Sequence, residues 1–189
     1  MLVDGTVVAI SLQRVAPGPA NRTIRLRLVS DRSAALIEAR SNVGPIVFGT
    51  SSLTGWLEAR VEGGVLLADP TPRAEVTLEL RSLTSGIPLY DAELVRRLDA
   101  HRYPVSLTVQ REMVPTGVDS GYRLSGQVSL HGVTRPISGT VSVRPGSDGG
   151  LVVSGEQVFD MRDFHISSPA VLMFRMFPDV RVQVDLTFA

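Results

Sequence analysis

The sequence predicts an all-β domain in which an antiparallel sheet closes into a barrel. Three observations support this prediction. Long runs alternate apolar and polar residues, turn-forming segments separate the runs, and aromatic residues make up only 5% of the chain. Successive strand side chains point to opposite faces, so an alternating run is typical of a strand with one buried and one wet face. Such strands pack as a sandwich or a barrel. The small inward residues (valine, leucine and glycine) favour a barrel with room for a ligand.

Strands are expected along most of the chain, about eight to ten in all. The clearest alternation lies in 76–80, 105–109, 122–130, 137–143 and 180–188. Less regular candidates are 3–12, 22–29, 33–40, 51–61 and 150–159. Turn chemistry separates the strands at 49–52, 69–72, 115–121, 132–133 and 145–150, and 15–21 is expected to be a loop.

One helix is predicted over residues 89–101. Its apolar stripe is Tyr90, Leu94 and Leu98, at the spacing of one helical face. Pro88 favours its start and Pro104 prevents its continuation. An apolar segment at 169–177 predicts a second, short helical turn.

Composition excludes several function classes. The chain has 189 residues, enough for one domain, and contains neither cysteine nor lysine. Disulfides, thiolate chemistry, a Schiff-base lysine and a lysine-containing phosphate loop are therefore excluded. Nineteen arginines balance nineteen acidic residues, so attraction for nucleic acid should be weak.

The N-terminal residues do not follow the pattern of a signal peptide, and no run approaches the length of a membrane span. The expected location is the cytoplasm, or the periplasm or cell exterior if a leader has been removed.

Residues that often carry catalysis form no readable constellation. No histidine pair has zinc-ligand spacing on one element, and no Gly-x-Ser-x-Gly elbow occurs. Asp160, Asp163 and His165 cluster near a strand end, where local salt bridges are favoured over a metal site. His131 precedes Gly132 and is expected in a turn. We therefore expect a protein that is not an enzyme, with no metal and no cofactor.

The inward apolar positions of the strands are the main candidates for ligand binding, as a set that lines a tunnel or packs as core. These positions are Leu78, Leu80, Leu107, Val109, Leu124, Val128, Val141, Val184 and Leu186. The helix residues Tyr90, Leu94 and Leu98 are expected to close one end, and Phe174 and Phe177 the other. Gly126 and Gly139 lie on apolar faces, either as bends or as room for a ligand.

A series of short motifs occurs in a characteristic order along the chain: DRSAALIEAR, LTGW, EVTLELRSLTSG, HRYP, VSLTV, YRLSGQVSLHGVTRPISGTVSV, FDMRDFHI and DVRVQVDLTF. The most specific is the Leu-x-Gly-Val-Thr-Arg-Pro hairpin from Leu130 to Pro136. In this order the motifs resemble the bacterial YceI-like family, also called polyisoprenoid-binding or lipid-binding proteins. The resemblance spans roughly residues 31–188, whereas the family's Arg-Asp-x-His-Leu pattern before Tyr-Pro is replaced here by LYDAELVRRLDAHRYP.

The resemblance implies an extended, eight-stranded, lipocalin-like barrel whose lumen holds an isoprenoid, a quinone tail or a similar lipid. Residues 31–189 would form this domain, and 1–30 an N-terminal extension or extra strands. The function implied is carriage or storage of the lipid. The alternative is a scaffold or stress-response interaction module with a collapsed interior. A homodimer fits both hypotheses.

Overall fold

The computed structural model describes residues 23–62, 65–117, 120–146, 148–167, 170–171 and 174–189, with the backbone alone at 170, 171 and 174. The strand predicted at 3–12 and the loop at 15–21 lie outside the described residues.

The described chain is mostly β. The strands are β1 Ile24–Arg27, β2 Ala34–Ser41, β3 Gly44–Thr50, β4 Leu53–Ala59, β5 Val61–Glu62, β6 Val65–Leu66, β7 Arg73–Glu79, β8 Val105–Pro115, β9 Gly121–Leu130, β10 Val133–Pro145, β11 Leu151–Asp160, β12 Ala170–Val171 and β13 Phe174–Phe188. One α-helix, α1, runs from Pro88 to Arg97. Short 3-10 turns occupy Ser30–Arg32, Leu80–Ser82 and Met161–Phe164.

The main sheet is antiparallel and curls into a half-barrel. Its order is β1-β4-β7-β8-β9-β10-β11-β13-β2-β3, with β12 paired to β13. The two ends of the path are tied back by backbone hydrogen bonds. Arg27 and Ala189 exchange two such bonds, and Gly49 and Thr84 exchange another two. Within the part of the chain that the structure describes, no helix is long and apolar enough to cross a membrane.

The predicted all-β class is confirmed, and the described residues contain one α-helix, as predicted. That helix ends at Arg97 rather than at residue 101, and three further details differ. The described sheet has 11 strands, and β5 and β6 form a separate two-stranded hairpin, so eight was too few. Strand β3 was not predicted, because Gly44 and Pro45 at its start are typical of a turn. The helical turn predicted at 169–177 is wrong, since 170–171 and 174–177 belong to strands β12 and β13.

Strand β8 turns the opposite face inward from the one its alternation suggested. Its residues Ser106 and Thr108 lie opposite Leu78 and Val76 of β7. Residues directly opposite in a sheet share a face, so the small polar residues of β8 point inward and Leu107 points outward. Beyond a register shift between Gln110 and Glu112, Met113 returns to the core.

The inward faces form two separate apolar clusters. One end of the half-barrel is packed by the closed-end cluster, whose buried members are Leu28, Ala35, Leu53, Leu57, Ala59, Leu66, Met113, Tyr122, Val143, Leu151, Val153, Leu186 and Phe188. At the other end, beside α1, lies the helix-end cluster. Its buried members are Phe48, Leu80, Leu83, Leu98, Ala100, Val128, Phe164 and Ile166. Leu78 is partly buried and packs against both clusters, so it marks their boundary.

Candidate ligand-binding pocket

Helix α1 lies over the helix end of the half-barrel and is held there by hydrogen bonds at its first turn. The Asp91 carboxylate accepts hydrogen bonds from the Thr84 hydroxyl at 2.7 Å and from the Ser85 amide at 2.7 Å and hydroxyl at 2.6 Å. These hydrogen bonds lower the pKa of Asp91, and the largest effect comes from Ser85. Because Thr84 also pairs with Gly49 of β3, the start of the helix is fixed to the edge of the sheet.

A cavity of about 520 Å³ lies between α1 and the sheet. The helix contributes Tyr90 and Leu94, and Leu98 follows as its C-cap residue. The sheet contributes apolar side chains such as Val128 and Val182. The volume falls within the range of about 300–1,000 Å³ that is typical of small-molecule sites. An apolar molecule placed here would bury much of its surface against apolar side chains and remain in contact with water at the open side.

The segment after β11 forms one wall of this cavity. Its residues Met161, Phe164 and Ile166 line the pocket, and Phe164 is 2% exposed. The ring of Phe159 meets the ring of Phe164 edge to face, with centroids 6.2 Å apart. This wall is therefore apolar and aromatic.

The hairpin that carries the family resemblance holds this wall in place. His131 Nδ1 lies 3.0 Å from the Phe164 carbonyl oxygen, and Arg135 Nε donates to the Asp163 carbonyl oxygen at 2.9 Å. His131 and Gly132 both have positive φ, 53° and 75°, which confirms the turn predicted at His131. Through His131 and Arg135 the hairpin thus holds the backbone of the pocket wall, and its first residue, Leu130, lines the cavity.

A charged triad sits at the mouth of the cavity. Arg96 Nη2 and Arg97 Nε donate to Glu93 Oε1 at 2.7 and 2.6 Å. Arg97 Nη1 also donates to the Ser167 carbonyl oxygen at 2.8 Å, across the mouth. The hydrogen bond from Arg96, supported by the one from Arg97, lowers the pKa of Glu93 to about 2 despite an opposing effect of burial. Glu93 is therefore a carboxylate at neutral pH and a weak base.

Six of the residues predicted to bind a ligand line the cavity: Leu80, Tyr90, Leu94, Leu98, Val128 and Phe177. Phe177 was expected to close the end opposite the helix, and that placement is wrong, because it lies at the same mouth as α1. The side chain of Phe174 lies outside the described residues.

The other predicted residues lie elsewhere. The prediction that Leu107 and Val109 point inward is wrong, since they lie opposite Ser129 and Gln127 on the outer face. Leu186 is buried in the closed-end cluster, and Val141 and Val184 pack against it. Leu78 lies at the boundary, and Leu124 lies opposite Met113 in β8, away from the cavity. Whether any of these residues contacts a ligand stays a prediction.

The structure explains why glycine occurs at positions 126 and 139, which the sequence left as either bends or room for a ligand. A Cβ on Gly126 would lie 2.3 Å from the Val109 carbonyl oxygen, so the strands approach closely beside the register shift in β8. A Cβ on Gly139 would lie 3.1 Å from Gln157 Oε1, so that side chain occupies the space. Neither glycine lines the cavity.

Several lining residues were not predicted from the sequence. Ile37 and Phe48 come from the β2–β3 hairpin, and Met161, Phe164 and Ile166 come from the wall after β11. Phe48 was missed with strand β3, whereas Ile37 lies in β2, a strand that was predicted at 33–40 without a lining residue. The wall residues were missed because a 3-10 turn has neither a strand nor a helix periodicity.

The acidic cluster considered for a metal is engaged in a local ion pair. Asp160 accepts hydrogen bonds from the backbone amide and Nε of Arg162, both at 2.9 Å. These hydrogen bonds lower the pKa of Asp160, and the largest effect comes from the Arg162 side chain. No group of three metal-ligating side chains occurs among the residues that the structure describes.

Fold and cavity together define an antiparallel β-barrel protein with an apolar pocket at one end. The sequence matches the YceI-like domain family over residues 34–188. The chain therefore belongs to the YceI-like family, as its motifs predicted.

Solved structures with the same fold share little sequence with this chain. The Burkholderia cenocepacia BcnA structure is 14% identical with a TM-score of 0.72, covering 85% of this chain and 98% of that one. A polyisoprenoid binding domain from Saccharophagus degradans, implicated in plant cell wall breakdown, is 15% identical with a TM-score of 0.67, covering 86% and 97%. A mutant Campylobacter jejuni YceI protein is 14% identical with a TM-score of 0.53, covering 71% and 80%. A search of curated proteins gives no significant match.

Proposed function

We propose that this protein binds an isoprenoid chain, a quinone tail or a similar lipid in the cavity beneath α1, and carries or stores it without chemical change. The observation that carries the proposal is the apolar cavity of about 520 Å³. A collapsed interior, expected of a pure scaffold, would leave no such volume. The polyisoprenoid-binding domain with the same fold supports this ligand class.

The chemistry of the lining favours binding over catalysis. Among the described lining residues, the titratable side chains are Tyr90, Glu93, Arg96 and Arg97. Glu93, with a pKa of about 2, is a poor general base at neutral pH. Burying each methylene of a ligand contributes about 0.8 kcal/mol, so an apolar chain needs no polar anchor to bind. The charged triad at the mouth would keep the polar end of an amphiphile in water.

The proposal is tested by extracting freshly purified protein with organic solvent and analysing the extract by mass spectrometry, beside the native mass of the intact protein. We expect one isoprenoid or related lipid per chain, or a complex of that stoichiometry after addition of farnesol. A protein that carries no lipid and takes up neither farnesol nor longer prenols would overturn the proposal.

A matched pair of variants in β2 locates the ligand. Ala39 is 5% exposed and lines the cavity, so the six ring carbons added by Ala39→Phe take up part of the space for a ligand. Leu36 lies on the outer face of the same strand, 45% exposed, so Leu36→Phe leaves the cavity unchanged. Of the two variants, we expect only Ala39→Phe to lose the lipid.

The cytoplasmic location and the homodimer stay predictions, which cell fractionation and the native mass would test.

A further inference from the structure

The cavity beneath α1 does not extend to the closed end of the half-barrel. Along β13, Val182 lines the cavity, whereas the next inward residue, Val184, packs against the closed-end cluster. Along β2, Ile37 lines it and Ala35, the next inward residue, is 0% exposed. On the third side Leu80 lines the cavity and Leu78 packs against both clusters. On all three sides the lining therefore ends where the closed-end cluster begins, and this inner end is the floor of the cavity.

The volume of the cavity limits the number of ligand carbon atoms that can be enclosed. A methylene fills about the same space as a water molecule in the liquid, about 30 Å³, so a cavity of about 520 Å³ holds about 17 carbon atoms. That number corresponds to about three isoprene units.

The depth of the cavity gives the same limit independently. Its lining along β13 extends from Met176 to Val182, at most about 20 Å of strand at about 3.3 Å per residue, because the pairing with β2 is irregular between Met176 and Val180. Strands in barrels tilt by about 35–45° from the axis, which reduces the depth to about 15 Å. An extended isoprene unit adds four bonds of about 1.5 Å in a zigzag, about 5 Å, so three units span the depth.

We propose that the pocket encloses a prenyl chain of about three isoprene units, with its polar end at the Glu93–Arg96–Arg97 mouth and its tail on a floor made by Leu78 and Val184. The inference rests on the proposed function. It limits the ligand to chains of this length, or to longer chains whose excess projects from the mouth into solvent. Affinity then depends on chain length only up to the floor.

The test is a binding series with geranyl, farnesyl and geranylgeranyl monophosphate, which have two, three and four isoprene units, kept below their aggregation concentrations. Farnesol serves as the control without a charged headgroup. We expect at least a tenfold gain in affinity from two to three units and less than a threefold gain from three to four, because the fourth unit buries little new surface. A second tenfold gain at four units would overturn the length limit and leave the proposed function standing. No binding of any of the four compounds would overturn the length limit, and together with a lipid-free extract and no uptake of longer prenols it would overturn the proposed function as well.

Variants of the floor separate a true depth limit from a general loss of affinity. Leu78→Ala removes three carbons at the boundary and should restore at least a tenfold gain at the fourth unit. Leu107→Ala makes the same chemical change on the outer face and should leave the chain-length profile unchanged. If Leu78→Ala does not fold, Val184→Ala makes a smaller change at the same level and should shift the profile in the same direction. A folded floor variant with the wild-type profile would overturn the assignment of the floor.

Discussion

Replacing Gly132 by alanine tests whether the hairpin packs as tightly against Tyr103 as the structure indicates. Gly132 has φ 75°, and a Cβ there would lie 2.8 Å from Tyr103 Cε1 and 3.0 Å from Cζ. The Tyr103 ring would have to leave its edge contact with His131, whose ring centroid is 5.2 Å away. Gly149→Ala is the matched control, because Gly149 has φ 76° and nothing within 4 Å of a Cβ.

Both variants place alanine at a positive φ, so they share the same backbone strain. Only Gly132→Ala also pushes against the Tyr103 ring. A non-glycine residue in the left-handed region costs about 1–2 kcal/mol. Displacing the aromatic contact adds about 0.5–1.5 kcal/mol. We therefore expect Gly132→Ala to lower the free energy of unfolding by about 1 kcal/mol more than Gly149→Ala does.

Urea unfolding followed by the fluorescence of Trp56, the single tryptophan, measures both free energies. In a Tyr103→Ala background the excess cost of Gly132→Ala should disappear, since the clashing ring is gone. Equal losses for Gly132→Ala and Gly149→Ala in the wild-type background would show that the Tyr103 ring does not pack tightly against residue 132.

Two further predictions concern the helix and its charged triad. Leu98→Ala, at a residue 6% exposed, should lower the free energy of unfolding by about 2–4 kcal/mol. Leu89→Ala, at a residue 75% exposed, should change it by less than about 0.5 kcal/mol in the same urea titration. The folded-state pKa of Glu93 is lowered to about 2 from 4.5, so its ion pairs stabilise the fold above pH 4.5 and lose that contribution as the pH falls toward 2. Because the Glu93 side chain is 38% exposed, the loss should be about 1 kcal/mol or less, and Glu93→Gln should remove this part of the pH dependence.

Alternation predicted the sheet well wherever one strand face meets solvent. Strand β9 was predicted at 122–130 and observed at Gly121–Leu130, and the end of β13 likewise follows its alternating run. The helix was predicted from its apolar stripe and from Pro88, which occupies its first turn. These features depend on local periodicity and capping, which a single sequence contains.

The remaining differences depend on neighbours that one sequence does not specify. Period-two alternation separates the faces of β8 but does not say which face is inward; pairing with β7 turns Ser106 inward and Leu107 outward. The position of the floor is also a tertiary property. Leu78 and Leu80 are both inward apolar residues two positions apart, yet one marks the boundary and the other lines the cavity.

A crystal structure of the protein with farnesyl monophosphate would show where a prenyl chain binds. We expect the chain to contact Val128, Leu98 and Phe164 and to end at Leu78, with its phosphate near Arg96. A prenyl chain bound instead in the shallow outer groove beside Leu36 and Gln183 would contradict it, as would side chains that fill the cavity.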